Sequence, residues 1–185
     1  VPPDNRDVIR FGLAAVKNVG GAAVDAIVEA RDAAGGSFKS LMDCFERINY
    51  GKVNKRVFQN LIKCGAFDWS GERRSAMLEG LEGLMKSGQR RQADKNAGQT
   101  SLFGATTSIS PPKVRLPDVL EWPVRKLLTF ERESVGFFLS GHPVEGFVDE
   151  VERYSTCRVS QLSAYPAEKD VSVAGMAASV KVIRN

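Results

Sequence analysis

Leu13-Ala14-Ala15-Val16-Lys17-Asn18-Val19-Gly20-Gly21-Ala22-Ala23-Val24-Asp25-Ala26-Ile27-Val28 sets apolar side chains at helical spacing on both sides of a short break. Leu13 and Val16 precede it, and Ala23, Val24, Ile27 and Val28 follow it, which predicts a helix, a tight turn over Lys17 to Gly21 and a second helix. Gly20 permits close backbone approach, and Asn18 accepts a positive φ more readily than most residue types. A turn with a left-handed residue points successive backbone N–H groups outward at the start of the second helix. Together with the helix dipole, those donors suit a phosphate oxygen. Lys17, Asn18, Val19, Gly20 and Gly21 are therefore one candidate contact for an anionic backbone.

The pattern returns about 33 residues later. Phe38, Leu41, Met42, Phe45 and Ile48 form an apolar stripe that ends at Asn49-Tyr50-Gly51. Asn54 is placed to cap a helix carrying Val57, Phe58, Leu61 and Ile62, and Gly65 is placed to close it in the left-handed region. This second turn has only one glycine, Gly51, but adds Lys52, Asn54, Lys55 and Arg56, so side-chain charge is expected to stand in for backbone donors. Two such helix-hairpin-helix units would hold phosphates without reading bases, and salt should weaken them strongly. Solvated cations on helix faces, in a chain that meets no nucleic acid, are the competing reading.

Composition sets the frame. The chain has 185 residues, 43% apolar and 26% charged, enough for a globular core. Its net charge of +4 lies in the first part: 16 cationic against 12 anionic side chains up to Gly98, and 10 against 10 after it. Cys44, Cys64 and Cys157 are far apart, with one histidine in the chain, which argues for buried free thiols rather than a metal site. No apolar run approaches the roughly 18 to 20 residues of a membrane span, and Val1-Pro2-Pro3-Asp4 lacks the features of a signal peptide. A cytoplasmic setting without membrane contact is expected. Beginning on Val and ending in the apolar run Val171 to Ile183, the chain reads as a piece of something longer.

A helix is expected from about Glu72 to Met85, and from Lys86 to Pro112 neither helical nor strand periodicity is visible. Within that polar stretch Gln99-Thr100-Ser101-Leu102-Phe103 carries two large apolar side chains that the stretch cannot bury by itself. They dock either on this chain's own body or in another protein's pocket. Helical spacing returns over Val124 to Leu139, ends at Ser140-Gly141-His142-Pro143, and gives way to a shorter helix with Val144, Phe147, Val148 and Val151. His142 reads as part of a stop signal. The alternation from Val171 towards Val182, with Gly175 inside it, suits a bent strand whose sheet partners lie elsewhere.

Ile9-Arg10-Phe11-Gly12-Leu13 through Gly20, Val53-Asn54-Lys55-Arg56-Val57, Ile62-Lys63-Cys64-Gly65-Ala66-Phe67-Asp68, Gln99 to Phe103 and Leu127 through Pro143 together make the chain resemble the catalytic (alpha) subunits of bacterial DNA polymerase III. The resemblance implies a mainly α fold: a tandem helix-hairpin-helix DNA-binding domain over 1–86 and a linker over 87–116. A helical connector over 117–165 would follow, then the first strand of a truncated oligonucleotide-binding barrel over 166–185. It implies three partners: double-stranded DNA held by the hairpins, a sliding clamp, and other replicase subunits. Gln99, Leu102 and Phe103 become the clamp contacts, for processive DNA replication. Burying Leu102 and Phe103 would contribute roughly 1.5 to 3 kcal/mol each before ordering costs. Asn18 stands where the family usually has Gly.

The resemblance places metal-dependent nucleotidyl transfer, and its Mg2+, in a palm domain that nothing here matches. Asp4, Asp7, Asp25, Asp32 and Asp43 are scattered along the chain, so no catalytic residue, metal ligand or cofactor is expected within it. The alternatives are an error-prone paralogue of the polymerase, a helix-hairpin-helix repair enzyme or a helical adaptor. A repair enzyme would need a catalytic Asp or Lys beside a hairpin in a base-sized pocket, and none stands out.

Overall fold

Val57, Phe58, Leu61 and Ile62 recur every three or four residues, so a helix through them has one apolar side to bury. In the computed structural model, which describes residues 11–96, 115–177 and 180–183, that helix forms and buries all four. The chain forms two compact units, one ending at Phe137 and one beginning at Phe138.

The first unit contains α1 (Gly21–Asp32), α2 (Leu41–Arg47), α3 (Lys55–Lys63), α4 (Arg74–Glu79), α5 (Leu81–Asn96) and α6 (Val124–Val135), with 3-10 turns at Leu13–Ala15 before α1, where a helix was expected, and at Asp68–Ser70 between α3 and α4. Its core is aromatic. Phe45 of α2 and Phe58 of α3 stack with centroids 4.5 Å apart, Phe67 lies beside both, and all three are buried. α1 buries Ala23, Ala26 and Ala30, small side chains that let its backbone lie close to the core. Ser40 caps α2 by accepting from Asp43 N–H at 3.1 Å, while Asp43 accepts from Lys39 N–H at 3.0 Å. Asn54 caps α3 as expected, accepting from Val57 N–H at 3.1 Å, and Gly65 closes it at φ +81°.

Several expectations are corrected. The helix expected from about Glu72 to Met85 is broken at Gly80, where a Cβ would stand 2.8 Å from Leu116 Cδ2. Its second part then runs on to Asn96, through residues expected to be irregular. The reason lies in what α5 buries. Gly88 faces Tyr50 and Phe45, Gln92 Nε2 donates to Ile48 O at 2.8 Å, and Arg91 pairs with Glu46. A glycine, an amide and an ion pair hold the helix, and none of them registers as hydrophobic periodicity.

α6 was expected to continue to Leu139 but stops at Val135, where Gly136 turns into the left-handed region at φ +93°. It packs on α3 and buries Leu128, Glu131 and Ser134. The loop ahead of it supplies a remote cap. Glu121 accepts from the backbone N–H groups of Arg74 at 2.6 Å and Ser75 at 3.1 Å, and so closes the start of α4, which has no side-chain cap of its own. Burial pushes the Glu121 carboxyl up, but the N–H donors of Trp122, Ser75 and Arg74 outweigh it and hold the group below the ordinary 4.5. The stabilisation this gives is complete above pH about 4.5 and is lost as pH falls through the lowered value. Glu121→Ala is expected to cost about 1 to 2 kcal/mol at pH 7. Urea titrations at pH 7 and pH 3 check this, because the gap between variant and parent should shrink in acid.

The second unit is lightly built from α7 (Val148–Tyr154) and 3-10 turns at Pro143–Phe147 and Val159–Ala164. His142 Nδ1 accepts from Val144 N–H at 3.2 Å, so the imidazole caps the turn that follows it. Thr156 N–H donates to Ser172 O at 2.9 Å, Thr156 Oγ1 accepts from Ser172 N–H at 2.9 Å, and Tyr165 Oη donates to Thr156 O at 2.8 Å. The segment expected to be a strand forms none among the described residues: no second strand lies beside it, and a lone strand has no ladder to join.

Candidate nucleic-acid interface

At the first turn the left-handed residue is Asn18, at φ 65°, the position where its side chain is tolerated. Val16 and Val19 on either side are buried and anchor the turn to the core, so Val19 offers backbone only. That N–H is also occupied, donating to Val16 O at 3.0 Å, and Lys17 N–H donates to Ser134 O of α6 at 2.7 Å. Within the turn Asn18 N–H alone is left without an acceptor among the described residues, and the further open donors lie at the start of α1. Gly20 is the N-cap of α1 and has no side chain to cap with, while Ala23 N–H already returns to Gly20 O at 3.0 Å. Gly20, Gly21 and Ala22 thus present three successive N–H groups with no acceptor among the described residues. A Cβ at Gly20 or Gly21 would meet nothing within 4 Å, so the approach is open. The Lys17 side chain is exposed beside them.

The second turn is built differently and arrives at the same presentation. It has no left-handed residue; Asn49 bends the chain instead, its Oδ1 accepting from Gly51 N–H at 2.8 Å and its O from Lys52 and Val53 N–H at 3.0 Å. The N–H groups of Gly51, Lys52 and Val53 are therefore occupied, and Val53 is fully buried as Val19 nearly is. Asn54, 34 positions after Gly20, is the N-cap of α3, and its side chain is taken up by Val57 N–H. Asn54, Lys55 and Arg56 then repeat the arrangement, with three successive N–H groups lacking an acceptor among the described residues.

Charge at the second turn is partly neutralised. Lys52 Nζ lies 3.8 Å from Glu29 Oε2 of α1, and Lys55 pairs with Glu82 of α5. Arg56 is exposed with no ion-pair partner among the described residues. The carboxylates could not be placed from the sequence, because both come from other helices.

Of the residues singled out in the sequence, the ten at the two turns form these two helix starts. Gln99, Leu102 and Phe103 lie outside the described residues. Ala22 was missed, because an alanine carries no signal beyond its place one residue into a helix. Among the described residues no group of three or more His, Cys, Asp or Glu could hold a metal ion, and no helix is long and apolar enough to cross a membrane. Cys44, Cys64 and Cys157 are buried free thiols. Burial pushes Cys44 up to about 12, which leaves it an unreactive core residue.

Two anchored turns, each leading into a helix whose first amides face outward, define a helix-hairpin-helix protein, and the helix-hairpin-helix motif matches residues 2–77, spanning both turns. The likeness to known proteins extends well past that motif. The chain is 35% identical over 97% of its length to the DNA polymerase III subunit alpha of Vibrio cholerae serotype O1. It is 33% identical over 94% to that of Haemophilus influenzae and 31% identical over 97% to that of Escherichia coli strain K12. It belongs to the DNA polymerase III alpha-subunit family, as a segment spanning 15–16% of the length of these relatives.

Proposed function

We propose that this chain holds duplex DNA without sequence preference through the two helix starts, and tethers to a sliding clamp through Gln99, Leu102 and Phe103, as part of a replicative polymerase. The observation that supports the DNA role is the repeated presentation of three outward amides, at Gly20 to Ala22 and at Asn54 to Arg56, with Lys17 and Arg56 beside them. Amides and a helix dipole reach phosphate oxygens and carry no information about base edges. The clamp role rests on the sequence Gln99 to Phe103 and on the name shared by the relatives. Leu102 and Phe103 would fill an apolar cleft while Gln99 supplies directional hydrogen bonds, giving weak binding that becomes useful when both proteins share one DNA. On this reading the chain works in the cytoplasm alongside other replicase subunits. The segment from Val171 supplies a strand to an oligonucleotide-binding sheet completed by further chain, and nucleotidyl transfer with its metal ions resides elsewhere in the longer protein.

The test is one titration series. A labelled duplex of mixed sequence is titrated with the chain between 50 and 200 mM salt, then with a sliding clamp added, and Leu102→Ala/Phe103→Ala is run alongside. Duplex affinity is expected to fall steeply with salt and to be indifferent to sequence. The double variant is expected to lose clamp binding and keep its duplex affinity and thermal stability. Equal affinity across the salt range would remove the phosphate reading, and a large drop in melting temperature would show that Leu102 and Phe103 belong to the core.

A further inference from the structure

α5 lies across the second turn, and its inward side is fixed by Gly88 against Phe45 and Tyr50, Arg91 on Glu46 and Gln92 on Ile48 O. Its outward side is therefore also fixed. Glu82, Lys86 and Arg90 follow one another at intervals of four, which lines them up about 6 Å apart along that side, and all three are exposed. Glu82 is the residue that pairs with Lys55, the first residue of α3 and the middle of the second set of outward amides. The row thus begins at the second turn and leads away from it. Lys86 stands near enough to Glu82 to help Lys55 hold that carboxyl below its usual range, with the Lys55 hydrogen bond the larger cause. Neither Lys86 nor Arg90 has an ion-pair partner among the described residues.

We propose that Lys86 and Arg90 on α5 form a third phosphate contact, continuous with the second turn, and that Glu82 partly masks it by holding Lys55. The inference rests on the duplex-binding reading above. A DNA strand whose phosphate sits on the amides of Asn54 to Arg56 meets Lys55 at the same point, and the next phosphates along the backbone meet the α5 row. Lys55 exchanges Glu82 for phosphate when DNA arrives, so Glu82 lowers affinity in the free protein instead of contributing a contact.

The experiment compares four proteins by anisotropy on a labelled mixed-sequence duplex across the same salt range: the parent chain, Lys86→Gln/Arg90→Gln, Glu82→Gln and Arg56→Gln. The α5 double variant is expected to bind about tenfold more weakly and to lose up to about 2 from the magnitude of the log–log salt slope, roughly 0.9 per phosphate contact. Glu82→Gln is expected to bind several-fold more tightly, a change in the direction opposite to that of a lost structural ion pair. Melting curves of both should overlay the parent, since the side chains are exposed. An α5 variant that binds like the parent while Arg56→Gln is weakened overturns this inference and leaves the turns intact as the DNA contact. A parent chain that binds no duplex overturns both.

Discussion

Arg74→Met is expected to lose about 3 to 5 kcal/mol of folding stability, read as a fall in the urea midpoint at constant slope. Arg74 is a charged side chain only 10% exposed, at the junction of four elements. Its Nε donates to Asp68 Oδ1 at 2.8 Å, its Nη2 to Asp68 Oδ2 at 2.5 Å, and its Nη1 to Glu131 Oε1 at 2.9 Å and Lys63 O at 3.4 Å. The Asp68 hydrogen bond leads in holding the guanidinium above the ordinary arginine range, against burial, which works the other way; Glu131 adds to it. Glu131 is fully buried, so the variant leaves a carboxylate in the interior without its guanidinium. That penalty makes the loss large. The forked bond geometry also explains Gly65, where a Cβ would stand 2.2 Å from Arg74 Nη2. Arg74→Met/Glu131→Leu should recover part of the loss, because a pair replaced by apolar volume leaves no buried charge. A single variant within 1 kcal/mol of the parent would show that the network contributes nothing net.

How far the sequence reveals this molecule can be judged at the two turns. Asn18 at a positive φ, the Asn54 cap and the Gly65 stop all follow from residue types whose backbone preferences are local, and all were legible. The apolar stripes of α2 and α3 were legible for the same reason: a period of 3.6 is written into consecutive residues. What was hidden depends on partners far along the chain. Glu121 capping α4, Glu131 receiving Arg74 and Glu82 holding Lys55 are meetings across 46, 57 and 27 residues respectively. Isolated acids in a sequence give no sign of such destinations. The exact donors shifted as well. Val19 and Gly51 looked available, yet their N–H groups are taken up within the turns, and the open amides of the two helix starts begin at Gly20 and Asn54. A turn motif locates an interface to within a few residues; which amides remain open is decided by hydrogen bonds the motif does not contain.

α5 offers the sharpest test of that distinction, through two glycines on one helix. Glycine inside a helix is less favourable than alanine by up to about 1 kcal/mol, so Gly→Ala at an unconstrained position should stabilise. Gly83 is such a position, with nothing within 4 Å of an added Cβ. At Gly88 the added atom would stand 2.2 Å from Tyr50 Oη and 2.4 Å from Phe45 O, the two groups that share a 2.6 Å hydrogen bond at the end of α2. One of these is backbone and cannot swing aside. Overpacking costs typically 1 to 3 kcal/mol, and breaking the Tyr50 hydrogen bond adds about 1 more, against a propensity gain of at most about 1. Gly88→Ala is therefore expected to destabilise by about 1 to 3 kcal/mol while Gly83→Ala is neutral or stabilising, as measured by thermal and urea unfolding of the two variants side by side. Tyr50 opens the second turn, so displacing it also loosens the frame that aims Asn54, Lys55 and Arg56. Duplex affinity of Gly88→Ala should drop at temperatures where the protein is still folded, and that of Gly83→Ala should not. If Gly88→Ala proved as stable as Gly83→Ala, α5 would not be seated on the second turn, and the phosphate row on its outer side would lose its anchor.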